Sequence, residues 1–220
     1  MAPPSPTLDD LRERVRQLEG RPGAQPVATH PALSGLLQLQ TGGTYATDAA
    51  SLLGLLLAGP SAEGTWCGVV GTARLGLEAL AATGVRLDRC VLVPDPKASW
   101  LEVTAALTDV LGVVAVAPPA RGVGERDASR LAARLRDRGA VLLALGDWPR
   151  ADARLRLTET EWIGLGQGHG HLRARRVTVQ VRRGTAPARS RRLWFPDLDQ
   201  QIRPAAEQQA KVARHLRSVG

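Results

Sequence analysis

The chain has 220 residues, 44% hydrophobic and 23% charged, with a formal net charge of +8. Those totals are those of a soluble globular domain able to bury a sound core. The longest apolar run, Leu52 to Ala58, is far below the ~20 residues that span a bilayer, and the opening MAPPSPTLDDLRERV has no apolar signal core, so a cytoplasmic protein is expected.

In chain order, LDDLRERVRQLE (8–19) places Leu8, Leu11, Val15 and Leu18 on one helix face, with acids first and arginines after, as the helix dipole favours. The linker GRPGAQPVATHP follows, and a compact domain begins near Leu33. Strands are expected at 36–40, 65–71, 90–95, 113–117 and 141–146, alternating with helices at about 48–59, 74–83, 97–110 and 125–138. The third helix aligns Trp100, Val103, Leu107 and Val110, and the fourth aligns Leu131, Ala132 and Leu135. The strands are nearly all apolar, which predicts an α/β fold with a mainly parallel sheet covered by helices on both faces. After residue 150, RLRLTETEWIGL and HLRARRVTVQVRR read as an antiparallel hairpin joined by GLGQGHGH, with Val177, Val179 and Val181 on the buried face. The tail holds LWFPD (193–197) and a last helix near 205–217. The expected division is 1–32 for helix and linker, 33–185 for the core, and 186–220 for a basic tail.

Four features carry candidate chemistry. In TGGTYATDAASLL (41–53) a glycine turn stands between a strand-like and a helix-like run, where a phosphate loop would lie. That loop requires G-x-x-x-x-G-K-[ST]; here the lysine is missing and Asp48 brings a negative charge. Residues 173–192 hold eight arginines and no acid. Arg173, Arg175, Arg176, Arg182 and Arg183 are therefore candidate contacts to a nucleic-acid backbone, against the alternative of a solvated strand edge. Without interleaved aromatics, base stacking is not expected there. Trp194 and Phe195 are candidate partner anchors in the tail, as are Leu8, Leu11, Val15 and Leu18 at the other end. Asp95 and Asp147 close strands at their carboxyl ends, where an α/β enzyme would work. No metal is expected, since His169 and His171 lack a third ligand nearby, and Cys67 and Cys90 read as buried thiols.

The run EGTWCGVVGTARLGLEALAATGVRLDRCVLVPDPKASWLEVTAALTDVLGVVAVA resembles the central part of RecA recombinases, most sharply at GVRLDRCVLVPDP. On that resemblance Gly42 and Gly43 stand at the phosphate loop, Asp48 at its lysine and Ala49 at the following hydroxyl residue. Thr72 stands at the catalytic glutamate and Ala117 at the metal-supporting aspartate. The resemblance therefore implies a RecA-like core with a degenerate ATPase site, no hydrolysis and no cofactor. Together with the GLGQGHG turn and LWFP tail, the chain resembles the shortened actinobacterial form of the ImuA-type mutasome accessory proteins. That implies a non-catalytic role in SOS-induced, error-prone translesion synthesis. The implied partners are the inactive Y-family-like adaptor ImuB and, through it, an error-prone C-family polymerase, with RecA and weakly bound single-stranded DNA as further candidates. A living ATPase and a Rossmann-like enzyme at the Asp95/Asp147 rim remain the alternatives.

Overall fold

Strands β4 (Cys67–Val70), β5 (Cys90–Val93), β6 (Val113–Val116) and β7 (Val141–Leu145) contain no charged residue. Such strands are stable only when helices cover both faces. The computed structural model, which describes residues 23–72, 75–166 and 169–205, provides that cover for β4, β6 and β7, whereas the edge strand β5 stays partly exposed. Together with β3 (Thr44–Thr47), these strands pair in parallel in the order β3-β7-β6-β4-β5. Helices α1 (Ala50–Ala62) and α2 (Leu77–Ala82), with Leu33, Leu36 and Leu37, pack on Tyr45, Cys67, Val69, Val113 and Leu143. Helices α3 (Trp100–Thr108) and α4 (Glu125–Arg138) pack on Val70, Val114, Val116 and Leu142 from the other side. No helix among the described residues is long and apolar enough to cross a membrane.

Beyond β3 the sheet changes character. Strand β8 (Ala153–Gly166) runs parallel to β3 over Ala153–Leu155 only, then continues antiparallel to β9 (His169–Arg182). Strands β10 (Arg189–Trp194) and β11 (Arg203–Pro204) complete nine strands in one sheet. The predicted hairpin is thus present, and the tail segment 189–194 is a further sheet strand, with Leu193 and Phe195 buried in the α1-side core. A small separate sheet joins β1 (Pro26–Val27) to β2 (Leu39–Gln40).

Two expectations need correction. Only Leu39 and Gln40 of the run 36–40 form a strand; Leu36 and Leu37 lie in a turn and fill the core beside α1. Helix α3 ends at Thr108, so Val110 falls outside it and is 76% exposed. The buried stripe of α3 is Trp100, Thr104 and Thr108. Both threonines satisfy their hydroxyls within the helix, Thr104 to the Trp100 carbonyl at 2.6 Å and Thr108 to that of Ala105 at 2.7 Å. Helix α4 matches its expected span, with Glu125 and Asp127 in its first turn, Arg136 and Arg138 in its last, and Gly139 left-handed at its end. The helices expected near 8–19 and 205–217 lie outside the described residues, apart from Ala205.

Helix α1 is buried from Leu52 through Ser61, so it carries no one-sided stripe. The segment preceding β2 is strapped across it. There His30 caps a short 3₁₀ turn, its Nδ1 accepting the Ala32 N–H at 3.1 Å. Burial lowers the His30 pKa below its ordinary value, because a charged ring would lose hydration there. A group depressed in the fold contributes stability above the unfolded value of 6.5, and that contribution is lost as pH falls through the folded value. Stability measured by urea unfolding should therefore decline between pH 7 and 5, and His30→Asn, which keeps an acceptor but does not titrate, should flatten that decline.

Candidate functional site

The carboxyl ends of the parallel strands open onto one rim of the sheet, where open α/β folds bind ligands. The turn from β3 into α1 lies on this rim and consists of Asp48 and Ala49. Gly42 and Gly43 do not. They precede β3 at the opposite end of the sheet, where the Gly42 N–H donates to the Ala140 carbonyl at 2.8 Å, just before β7. A Cβ on Gly43 would meet the Gln40 carbonyl at 2.7 Å and the Tyr45 ring at 2.8 Å, so the glycine serves the turn into β3. The four-residue strand puts Gly43 five residue steps from Asp48, ~16 Å at ~3.3 Å per residue. The reason lies in Thr44–Thr47, whose alternation of Tyr45 and Ala46 between the two cores makes it the strand. The glycine turn therefore enters the strand and leaves α1 with a two-residue approach.

The other residues aligned with the nucleotide site do lie on the rim. Thr72 follows β4 and Ala117 follows β6. They are brought close through Gly71, where an added Cβ would stand 2.5 Å from the Ala117 carbonyl oxygen. Next to Asp48, a cleft of about 180 Å³ is lined by Thr47, Asp48, Asp147, Arg154 and Arg156. Its charges are met from within the chain: Arg154 pairs with Asp147 at 3.1 Å, and Arg156 stands 3.8 Å from Asp48. The first turn of α1 receives no side-chain cap, since Ala49 occupies the capping position. A larger cavity, about 330 Å³, lies between α3 and α4, away from this rim, and is lined by Glu102, Asp109, Asp127 and Arg134 among others. Asp95 follows β5 and Asp147 follows β7, three strand spacings or ~14 Å apart, so the two carboxylates do not converge.

The arginine cluster divides. Alternation along β9 places Arg175 on the α1 face with Val177 and Val179, and Arg176 and Arg182 on the other. Arg175 is half-buried between two rings, 5.2 Å from the Trp162 centroid and 5.0 Å from that of Phe195. It donates to the Phe195 carbonyl at 3.0 Å and to Ser51 Oγ at 3.4 Å. Arg176 lies over Trp194 at 5.3 Å and holds both Glu161 oxygens at 2.7 Å. Arg189 and Arg191 donate to the carbonyls of Gly35 and Ser34, tying β10 to the α1-side loop. Among the described residues the side chains of Arg173, Arg182 and Arg183 make no hydrogen bond or ion pair. Of the five candidate backbone contacts, Arg175 and Arg176 are thus packed on opposite faces, Arg176 and Arg182 share the polar face as their spacing implies, and Arg173, Arg182 and Arg183 are unpaired among the described residues.

The arginine stretch itself holds no aromatic, but the neighbouring strands bring two beside it. Register pairs Trp162 of β8 with Arg175 and Trp194 of β10 with Arg176. Of the two proposed tail anchors, Phe195 is 3% exposed and Trp194 is half-buried over Arg176, so the exposed aromatic of this region is Trp162, at 49%. The turn after β10 is fixed by Asp197, which accepts from the backbone N–H groups of Asp199 and Gln201 and from Arg203. The Arg203 guanidinium, with those N–H groups, holds its carboxyl below the usual carboxylate range. Cys67 and Cys90 are register partners on β4 and β5, both free. Burial pushes the Cys67 thiol up to about 12, with Cys90 adding to the effect, so it is a packing residue at neutral pH. The side chains of His169 and His171, and Leu8, Leu11, Val15 and Leu18, lie outside what is described.

The sequence model of a family described as the MT3502 N-terminal domain matches residues 32–150, from the 3₁₀ turn to the loop after β7. A Mycobacterium tuberculosis protein, Rv3395c, itself described as uncharacterized, is 33% identical over 150 residues, covering 66% of this chain and 69% of the relative.

Proposed function

We propose, for a chain that belongs to the MT3502 N-terminal domain family, a non-catalytic role as an ImuA-type accessory protein with a RecA-like core. In this reading it acts in the cytoplasm during SOS-induced, error-prone translesion synthesis. It docks the ImuB polymerase-like adaptor, and through it the C-family polymerase, with RecA and single-stranded DNA as weaker contacts. The RecA likeness is supported by the order of elements from β4 to β6, an apolar strand, a helix, a strand followed by Pro94-Asp95, a helix and an all-apolar strand. The antiparallel hairpin after β7 agrees with the same resemblance.

The single observation carrying the non-catalytic reading is the two-residue turn Asp48–Ala49. A phosphate cradle is built from several successive backbone N–H groups and a cation. This turn has too few residues to wrap a phosphate, and its one charged side chain is negative. Two like charges at 4 Å repel by about 4 kcal/mol at an effective dielectric of 20. Asp48 is more than half exposed and has Arg156 nearby, so its repulsion is weaker than that. The geometry of the turn weighs more than the charge. Among the described residues no feature favours the enzyme reading over this one, given the separation of Asp95 and Asp147.

Co-purification of the full chain with the adaptor is the direct test: a stable complex without nucleotide is expected, and none would be formed if the reading is wrong. Calorimetric titration with magnesium-ATP is the second arm. No binding at millimolar nucleotide is expected, whereas turnover by the pure protein would restore the ATPase alternative.

A further inference from the structure

We infer that the indole of Trp162 is a stacking platform for a base of single-stranded nucleic acid, with the Arg173 guanidinium nearby for a phosphate. The arginine stretch 173–192 has no aromatic of its own, so along the chain it carries charge without a surface for bases. Sheet register supplies that surface, because Trp162 of β8 is the partner of Arg175 on β9. Alternation places both on the α1 face, with Val177 and Val179. Strand β8 borders β3 only through Leu155, so among the described residues no third strand flanks Trp162.

The ring is held in place from one side only. The Arg175 guanidinium lies over it, 5.2 Å from the centroid. That guanidinium is itself fixed by the Phe195 ring at 5.0 Å, the Phe195 carbonyl at 3.0 Å and Ser51 Oγ at 3.4 Å. Trp162 is nevertheless 49% exposed, which leaves its other ring face to solvent. A planar ring backed on one side and open on the other offers what a base stacks on, and every base has the matching π-face. Because the ring is already positioned, little side-chain freedom is lost on binding.

Charge selects the occupant. Arg175 is met by a carbonyl, a hydroxyl and two rings, none of them an acid, so its charge is uncompensated. Arg173, two residues away on the same strand, is exposed and unpaired among the described residues. The neighbouring acids are committed elsewhere: Glu159 and Glu161 alternate to the other face and hold Arg192 and Arg176, Asp48 stands by Arg156, and Asp197 holds Arg203. Asp199 in the turn after β10 is the acid left without a cation among the described residues, against two uncompensated arginines. A nucleic-acid strand brings both a planar face for the indole and a negative backbone for the guanidinium groups, whereas an acidic peptide brings the charge alone. This contact rests on the single-stranded DNA binding put forward above, and adaptor binding is measured beside it, so that the two can fail separately.

The test titrates the full chain with oligo-dT, an abasic strand of the same length, and polyglutamate of matching charge. Oligo-dT is expected to bind about tenfold more tightly than the abasic strand. Trp162→Ala should erase that difference and leave the abasic affinity unchanged, and Trp162→Phe should keep most of it. Arg173→Ala should weaken both strands alike and lower the salt slope by about one. Melting temperature verifies that each variant is folded, and the comparison of the two strands on the unaltered chain needs no variant. Absence of oligo-dT binding, equal binding of the two strands, or a full oligo-dT advantage retained in Trp162→Ala would overturn the inference. So would polyglutamate competing with oligo-dT and losing its own binding in Trp162→Ala, which would assign the ring to an acidic protein segment. An oligo-dT preference intact in a chain that fails to hold the adaptor would uphold the contact and count against the translesion reading alone.

Discussion

Replacing Trp148 with Ala should lower stability to urea by about 3–5 kcal/mol, the range for removing a large aromatic from a core. Trp148 is among the largest fully buried side chains, 2% exposed, although it sits in the loop after β7. Its ring meets that of Trp100, the first residue of α3, edge-to-face at 6.4 Å and 90°. Such a pair contributes about 0.5–1.5 kcal/mol beyond area burial. The Trp148 carbonyl also accepts from Arg154 Nη2, so the loop carrying Asp147 is fixed by the same residue. Trp148→Phe should recover most of the loss, and a double-mutant cycle with Trp100→Ala should return a coupling near the aromatic-pair value. A loss under about 1 kcal/mol for Trp148→Ala would mean the loop is not anchored as described.

Gly59→Ala should destabilise by about 2–3 kcal/mol, against the sign of helix propensity. In an unencumbered helix interior, exchanging Gly for Ala gains about 1 kcal/mol. Here the added Cβ would stand 2.6 Å from the His30 backbone nitrogen and 2.7 Å from Thr29 carbon atoms. No rotamer relieves a clash with backbone, so either α1 shifts within its core or the strap 25–40 lifts away. The apolar load argues for the second: Leu52, Leu53, Leu55, Leu56 and Leu57 are wholly buried, each contributing about 1.5–3 kcal/mol. Amide exchange should therefore speed up in the Gln38–Gln40 region more than in α1. A variant as stable as the wild type, with unchanged exchange, would contradict the close approach.

Placement of the ion pairs bears on how the basic composition is read. A net charge of +8 and a run of eight arginines point by themselves toward a polyanionic ligand. In the fold, Arg176 and Arg192 serve Glu161 and Glu159, Arg189 and Arg191 bind backbone carbonyls, and Arg175 is packed between rings. Guanidinium groups suit this work because their planar fork stays charged while stacking and donating several hydrogen bonds. Most of the cluster holds the antiparallel half of the sheet to itself and to the α1-side loop.

What the sequence by itself determined is whatever depends on spacing along the chain. The apolar runs at Val113–Val116 and Val141–Leu145, the stripe and charge order of Glu125–Arg138, and the alternation of Val177, Val179 and Val181 prescribe strand, helix and hairpin without reference to distant residues. Only the tertiary structure decided which side of β3 the Gly42-Gly43 turn serves, because that rests on Ala140 and Arg136, nearly a hundred residues later. The same holds for the burial of Phe195 under α1 and for the stack of Trp162, Arg175 and Phe195, where Arg175 also reaches Ser51 across 124 residues. Periodicity is a local property, whereas strand register and sheet order are settled by the packing of the whole core.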